Sequence, residues 1–504
     1  SGKTSRTARR HNRPHTREER AVAAGRGQFQ VTNAFNSGQG ESTVPRTTVK
    51  HLLTNARVHL NRSGFALADQ VVVGGLNFLT MVLVGRIAGV HELGLFALGF
   101  TIVLVAVVLH ESIVTTPATI LVPKLDRDQR RLYFGSALVM QIALSAAVAA
   151  VLLAAAGASY LLQADASVSI GLAVLAAVIP CWCLREFARR LALAELNAKS
   201  VLALDSCIAV IAGFALGMLI LTGQLAATSA FAVTGAAMAL PTIGWLLVCR
   251  NKFLVQLSDF GPSLQRNWVA GKWILIGQST TMATGEAMPW VLVATLGTEA
   301  TGIFAACRAI FRVVNPVVVT VSNLLTPYAA HAFADGGRQS VNFVVKRTVV
   351  GLGLLMAAFF VFILLFGGHV LTLCFGPEYA AYHGVLTILA AAQMAMLLGM
   401  GPGRGLLVIG RPQLGVVAEA LGCLVVVGAS VPLIGVWNLH GAAASFLMGT
   451  ALTSGLALYF YHWVCGSRGL DAQRHHEAAT EDLPPLNGAR VDAIGAPACL
   501  EGIE

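Results

Sequence analysis

Charged residues are scarce in this sequence. Asp, Glu, Lys and Arg make up only 12% of its 504 residues, whereas 56% of the residues are hydrophobic. Soluble domains average about 25% charged residues, so this composition excludes an ordinary soluble protein. Apolar stretches of about 20 residues recur instead, and each can cross a hydrocarbon core of about 30 Å. The sequence therefore predicts an all-α polytopic membrane protein.

The short motifs of common catalytic sites are also missing. The sequence has no G-x-x-x-x-G-K-[ST] run for nucleotides, no H-E-x-x-H for zinc and no G-x-S-x-G for a nucleophilic serine. Its nine cysteines are scattered, mostly within apolar segments, and predict neither a disulfide framework nor a metal site. We therefore predict no enzyme activity, no catalytic residue, no cofactor and no bound metal.

Hydropathy predicts twelve membrane spans, six in each half of the chain. The spans are 65–86, 94–118, 132–156, 168–190, 201–222, 227–249, 273–296, 300–330, 345–367, 384–404, 414–435 and 441–464. These spans imply the following domains: a basic, mostly disordered tail over 1–63, a first six-helix bundle over 64–250, a linker over 251–270, a second bundle over 271–465 and a C-terminal tail over 466–504.

Lys and Arg avoid one set of loops. The loops 157–167, 223–226, 297–299, 368–383 and 436–440 contain none, and only Arg86 lies at that end of a span. Thirty-two of the 35 basic residues fall on the other side, and Arg308 and Arg312 lie within a span. Basic loops stay in the cytoplasm, so we predict a multi-pass membrane protein with both termini in the cytoplasm.

The net charge of +10 comes almost entirely from the N-terminal tail. Residues 1–63 hold twelve Lys and Arg against three Glu, and the rest of the chain is nearly neutral. This pattern gives no support for nucleic-acid binding. Residues 46–62 place apolar side chains on one helical face between basic ones, which predicts either a helix on the anionic membrane surface or a solvated basic linker.

The chain contains an internal repeat with an offset of 208 residues. Between 67 and 105 eight residues are identical to their counterparts without a gap, and Gly94-Leu-Phe-Ala97 falls on Gly302-Ile-Phe-Ala305. Many transporters are built from two such homologous halves. Because each half has six spans, both copies must run in the same direction.

The repeat fails at three charged positions inside the second half. Glu286, Arg308 and Arg312 align with Phe78, Phe100 and Leu104. Charge in only one copy indicates a substrate or ion site, and planar guanidinium groups suit phosphate. We predict a cationic cavity in which Arg308 and Arg312 bind an anionic headgroup and Glu286 is a coupling group. The alternative is that Glu286 only neutralises one of the arginines.

Other polar residues inside predicted spans are weaker candidates. His110 and Glu111 lie near the inner end of the second span and predict either a proton relay or a pair satisfied within the bundle. Asn77, Gln278 and Asn315 add uncharged polar groups to the predicted cavity.

Several short motifs resemble the polysaccharide exporters of the MATE-like (MOP) flippase superfamily, the branch that includes the Wzx-type O-antigen flippases. The motifs occur in the family order over about 64–464. They are Val84-Gly-Arg-Ile-Ala-Gly89 followed by Glu92-Leu-Gly-Leu-Phe-Ala97, Asp126-Arg-Asp-Gln-Arg-Arg131-Leu-Tyr-Phe, Phe375-Gly-Pro-Glu-Tyr379 followed by Leu386-x-Ile-Leu389, and Leu407-x-x-Gly410-Arg411.

The resemblance implies two six-helix bundles arranged as a V around a central cavity. It also implies a flippase that moves undecaprenyl-diphosphate-linked oligosaccharide to the outer leaflet for surface or exopolysaccharide biosynthesis. Expected partners are the lipid-linked oligosaccharide, membrane lipids, glycan polymerase or assembly proteins, and a coupling proton or sodium ion. Three alternatives stay open: a MATE-type cation-coupled drug antiporter, a major-facilitator-type transporter of small solutes, and a non-transporting scaffold of a glycan-assembly complex.

Overall fold

A computed structural model of the chain describes residues 46–122, 125–163, 165–195, 197–256 and 260–466. The chain divides into two compact units. In the first, Ser1–Asn61, only the helical backbone from Arg46 onward is described, so the predicted surface helix has no described side chains. The second, Arg62–Glu504, holds the remaining elements. Most of the predicted tails, over 1–63 and 466–504, lies outside the described residues, and the predicted division into two bundles stays a prediction.

The described secondary structure is entirely helical. The α-helices are α1 (Arg46–Leu83), α2 (Val90–His110), α3 (Thr116–Leu121), α4 (Arg127–Leu161), α5 (Ala166–Ala194), α6 (Ala198–Leu221), α7 (Ala227–Val248), α8 (Phe260–Glu286), α9 (Met288–Thr295), α10 (Thr298–Phe311), α11 (Asn315–Cys374), α12 (His383–Val408) and α13 (Pro412–Gly466). Short π-helical turns, Val84–Ala88 and Glu111–Thr115, extend α1 and α2, and 3₁₀ turns cover Arg250–Lys252 and Pro377–Tyr382.

Local chemistry explains where several helices begin. Asp126 caps α4 by accepting hydrogen bonds from the backbone N–H groups of Asp128 and Gln129. Asp165 caps α5 in the same way through Ser167, and this hydrogen bond lowers the pKa of the exposed Asp165 carboxyl. Thus carboxylates just before a helix satisfy N–H groups that the helix itself leaves free.

Nine helices within the described residues are long and apolar enough to cross a membrane, or ten if α10 and the start of α11 form one bent span. One of the nine, Pro412–Cys465, has 54 residues and would extend about 80 Å if straight. It turns at Asn438, where φ is 49°. This turn lies between the eleventh and twelfth predicted spans.

Two predicted spans differ from the structure. The seventh, over 273–296, is divided between α8 and α9 at Ala287, and neither part is among the nine apolar helices. The eighth, over 300–330, was predicted as one helix and is broken after Phe311, with a bend of 57° between its two parts. Both breaks lie at the predicted cavity.

The two copies of the repeat meet through equivalent glycines. A Cβ atom on Gly94 would collide with the carbonyl of Thr298, and one on Gly302 would collide with the carbonyl of Val90. Val90 and Thr298 are themselves 208 residues apart, so the contact between α2 and α10 is reciprocal. Gly89 and Gly297, which precede the two helices, both have positive φ angles, 97° and 90°. The repeat therefore corresponds to a local two-fold arrangement.

Further contacts join the halves near the same end, which the loop charges predict to be the outer one. The Tyr379 hydroxyl donates to the carbonyl of Gly85 at 3.1 Å, and Arg86 donates to the carbonyl of Leu373. Within the first half, the rings of Phe96 and Phe231 stack in the main hydrophobic core, with centroids 4.5 Å apart. The fold thus joins the two repeats at the predicted outer end, above the polar residues of the second half.

Candidate functional site

A proline creates the first polar feature of the site. Pro289 lies two residues into α9 and has no N–H group to bond the carbonyl of Gly285, four residues earlier. Arg308 of α10 donates to that carbonyl instead, at 2.8 Å. The break between α8 and α9 therefore supplies an acceptor for a guanidinium within the membrane span.

The same guanidinium forms an ion pair with Glu286, the last residue of α8. Arg308 Nη2 lies 3.0 Å from Glu286 Oε1, and Nη1 lies 3.4 Å from Oε2. The ring of Phe446 lies 5.7 Å from the guanidinium. The structure therefore pairs Glu286 with Arg308, which is the arrangement given above as the alternative, and Arg308 already has acceptors on two sides.

Arg312 lies where α10 ends and differs from Arg308 in its surroundings. Pro316 occupies the first turn of α11 and cannot donate to the carbonyl of Arg312, so the eighth span breaks here. The Arg312 guanidinium lies over the ring of Phe100, 4.7 Å from its centroid. Among the described residues, no carboxylate forms an ion pair with Arg312.

Two adjoining cavities share Arg312 and Phe100. The first lies between α1, α2, α5 and α7. The second lies against α8, α9 and α10. The first is lined by Leu76, Asn77, Thr80, Met81, Phe96, Phe100, Trp182, Thr234, Met238 and Arg312. One wall of the combined cavity is thus aromatic and apolar, and the other carries Arg308, Arg312 and Glu286.

The remaining predicted cavity residues have mixed outcomes. Asn77 lines the first cavity together with Arg312. Gln278 is half-buried on α8 but lines neither cavity. The side chain of Asn315 lies outside the described residues. Phe100 and Trp182 also line the first cavity but were not predicted from the sequence, although Phe100 is the counterpart of Arg308 in the repeat.

His110 and Glu111 lie apart from this cavity. His110 is buried, with Nδ1 2.7 Å from the Ala106 carbonyl and Nε2 3.0 Å from the Ser145 hydroxyl. Glu111 forms an ion pair with Arg190 of α5. Both residues are thus bound within the first half, and neither lines the cavity that contains Arg312.

Metal binding finds no geometric support in the described part of the chain. No three His, Cys, Asp or Glu side chains converge there as a metal ion would require. The described charges in the cavity, two arginines against one glutamate, leave one net positive charge. The arrangement suits an anionic ligand that brings its own negative charge.

Comparison with solved structures shows the fold of the chain. No protein-family model matches the sequence, and no curated protein matches it. Solved structures do match. One is an inward-facing multidrug-resistance MATE family transporter of the MOP superfamily, with 15% identity over 80% of this chain and 94% of that chain and a TM-score of 0.63.

Two further structures match over a similar length. One is a MOP superfamily transporter from Pyrococcus furiosus, described by its reversed pocket polarity, with 15% identity, coverage of 81% and 95%, and a TM-score of 0.59. The other is an outward-facing MATE family transporter with the same identity, coverages and TM-score. The chain therefore has the MATE fold, which confirms the predicted all-α polytopic membrane class and differs from the major-facilitator alternative.

Proposed function

We propose that this protein is a flippase of the bacterial cytoplasmic membrane that moves a lipid-linked oligosaccharide from the inner to the outer leaflet. The substrate is an undecaprenyl-diphosphate-linked glycan, and its diphosphate binds in the cationic cavity. The carrier lipid stays in the bilayer while the saccharide crosses. Both termini of the chain are cytoplasmic in this proposal, and the exported glycan serves surface or exopolysaccharide assembly.

The observation that carries the proposal is the position of Arg312. This arginine lines both cavities, rests on an aromatic ring and has no carboxylate partner among the described residues. An unpaired guanidinium within a membrane span is costly, so its presence calls for an anionic ligand. A diphosphate meets this requirement because phosphate oxygens accept paired hydrogen bonds from guanidinium.

Arg308 has a second, conditional part in this proposal. Its ion pair with Glu286 leaves it less available than Arg312 in this structure. When Glu286 takes up a proton or moves away, Arg308 becomes free to join Arg312 on the diphosphate. Binding of the anion and the state of Glu286 are then linked, which fits the predicted coupling role of this glutamate.

A MATE-type antiporter of organic cations is the second candidate. It is favoured by the fold itself, since two of the matching structures are described as multidrug-resistance transporters. The charge of the cavity favours the anion instead. One relative with this fold is described by reversed polarity of its binding pocket and a different function, so pocket charge varies within the fold.

The test replaces single arginines in cells that depend on this protein for surface glycan. Arg312→Ala should abolish glycan export and cause lipid-linked oligosaccharide to accumulate on the inner leaflet, with normal amounts of protein in the membrane. Arg411→Ala is the matched control because Arg411 is exposed, lies at a predicted cytoplasmic end and lines neither cavity. Its export should equal that of the unaltered protein.

The same cells separate the two candidates. Normal export by Arg312→Ala contradicts the diphosphate site. Increased sensitivity to organic cations in cells lacking the protein, without loss of surface glycan, establishes the antiporter instead. Loss of both protein and glycan in Arg312→Ala would be resolved with Arg312→Lys, which keeps the charge but loses paired hydrogen bonding and should retain partial export.

A further inference from the structure

Arg86 is the one basic residue that the loop charges place at the outer end of a span, and the proposed cavity site does not use it. It lies in the π-helical turn Val84–Ala88, where the first helix ends. Its guanidinium donates a hydrogen bond to the carbonyl of Leu373, in the last turn of α11. A helix leaves its last four carbonyls without N–H donors, and its dipole attracts a cation to them. A residue of the first half therefore caps a helix of the second half.

A second hydrogen bond runs in the opposite direction. The Tyr379 hydroxyl, from the 3₁₀ turn Pro377–Tyr382, donates to the carbonyl of Gly85 at 3.1 Å. In an α-helix the N–H of Gly89 would bind this carbonyl. In the π-helical turn it binds the carbonyl of Val84 instead, at 3.2 Å, so Gly85 is left without that donor. Each half thus supplies the donor that closes a helix end of the other half.

The two hydrogen bonds differ in their access to water. Tyr379 is fully buried, and its ring lies 5.4 Å from the ring of Phe375, which is also buried. A Cβ atom on Gly85 would come within 2.8 Å of the Phe375 ring, so this ring packs directly on the Gly85 backbone. Leu373, at the other bond, is 74% exposed. Water can therefore replace the Arg86 bond at once, but it can reach the Tyr379 bond only after the rings have moved.

These bonds occur only once in the two-fold arrangement of the repeats. Their four main residues have counterparts, at the offset of 208, that carry neither a guanidinium nor a phenol. The counterparts of Gly85, Arg86, Phe375 and Tyr379 are Val293, Ala294, Ser167 and Gly171. Contacts that serve only the shared fold are expected in both copies, as the contact between Gly94 and Gly302 shows. The single copy of these bonds indicates a function at this end of the molecule.

We propose that Arg86 and Tyr379 form an outer latch, defined by the hydrogen bonds from Arg86 to Leu373 and from Tyr379 to Gly85. The latch holds the two halves together at the predicted outer end and is released when that end opens. Gly85 packs against Leu93, the residue before Gly94, so the latch adjoins the contact between the repeats and separates with it. Opening exposes the Gly85 carbonyl, and water must then replace the tyrosine hydroxyl, because an unpaired carbonyl is costly.

Hydrogen–deuterium exchange of the purified full-length protein in detergent, read by mass spectrometry of its peptides, tests the latch. Tyr379→Phe keeps the ring but leaves the Gly85 carbonyl without a donor in the closed state alone. Exchange over the outer segments 84–94 and 298–302 should therefore become about 5-fold faster or more. Arg86→Gln should accelerate it about 2-fold, since water replaces the exposed bond. Exchange over the predicted inner segments 127–135 and 260–270 should not change.

Two further variants separate the latch from general packing. Tyr382→Phe is the matched control, because Tyr382 is half-buried in the same 3₁₀ turn and its hydroxyl has no hydrogen-bond partner among the described residues. It should leave exchange unchanged in every segment. Gly85→Ala removes no donor, but its new methyl group displaces the Phe375 ring and should also accelerate exchange in the outer segments.

Three results would overturn the proposal. The first is unchanged outer exchange in Tyr379→Phe and Gly85→Ala. The second is equal acceleration at the inner and outer segments, which would show a general loss of packing. The third is an equal effect of Tyr382→Phe. If Tyr379→Phe does not fold, Arg86→Gln and Gly85→Ala give the same decision. The measurement uses no substrate, so the proposed function and the latch can fail independently.

Discussion

The guanidinium of Arg312 lies 4.7 Å from the centroid of the Phe100 ring. Phe100 belongs to the first copy of the repeat and is the counterpart of Arg308 in the second copy. An aromatic residue of one half thus supports a cation of the other half. The two copies share a fold but supply different chemistry to the cavity, and this division can be tested residue by residue.

Replacing Phe100 with Leu should weaken anion binding. The change removes the cation–π contact, worth about 0.5–2 kcal/mol, which corresponds to about 2- to 30-fold in affinity. The measurement is binding of undecaprenyl diphosphate to the purified protein. Phe100→Tyr keeps the ring face and should bind normally. Phe231→Leu removes a ring that stacks on Phe96 without touching Arg312, so an equal loss there would show a general packing effect.

Glu286 and Arg308 should be coupled in stability. The two side chains are 18% and 26% exposed, so some of their attraction is screened and we expect a coupling of about 1–2 kcal/mol. The measurement is a double-mutant cycle of Glu286→Gln and Arg308→Gln, read from unfolding in detergent. The more exposed pair Lys252 and Glu195 is a control and should give about 0.2–1 kcal/mol. Additive effects at Glu286 and Arg308 would contradict a functional ion pair.

A Cβ atom at Gly94 should disturb the contact between the repeats. It would meet the carbonyl of Thr298, so Gly94→Ala forces α2 and α10 apart and should lower the unfolding temperature and reduce transport. Gly217→Ala is the matched control, because no heavy atom lies within 4 Å of its new methyl group. That control should be neutral or slightly stabilising, since Ala favours helix by about 1 kcal/mol over Gly. Equal behaviour of the two variants would disprove the close approach.

The sequence was most informative where a single physical constraint acts over many residues. Membrane crossing requires long apolar segments, so the all-α class and most of the spans were predictable. The repeat was equally informative, because Gly94 and Gly302 can approach closely only if neither has a side chain. The role of a glycine in packing was thus visible as an identity between the two copies.

Details that depend on contacts between distant helices were not predictable. Pro289 and Pro316 can be read from the sequence, but the position of each break depends on which group binds the carbonyl that the proline leaves free. Arg189 shows the same limit. A basic residue at the end of a predicted span is expected to have its side chain in water. Only the fold brings Asp69 and Asp205 within reach of this arginine. Hydropathy carries no information about such pairs.

Helix α8 is held by both halves, and this arrangement leads to a final prediction. Near its start, the buried Asn267 accepts a hydrogen bond of 2.7 Å from the hydroxyl of Tyr133 on α4. Near its end, Thr281 donates to Glu419 at 2.8 Å, and Glu286 binds Arg308. Any movement of one half relative to the other must therefore bend or shift α8.

Tyr133→Phe should loosen the first of these attachments. The change leaves the Asn267 oxygen buried without its donor, which costs about 1–3 kcal/mol and should lower the unfolding temperature in detergent. Because the ring is kept, no cavity forms, and the loss reports the hydrogen bond alone. Tyr328→Phe removes a hydroxyl from a residue that is 65% exposed and should have no measurable effect. If Tyr133→Phe also leaves stability unchanged, this hydrogen bond does not anchor α8 to α4. In that case α8 moves together with the second half.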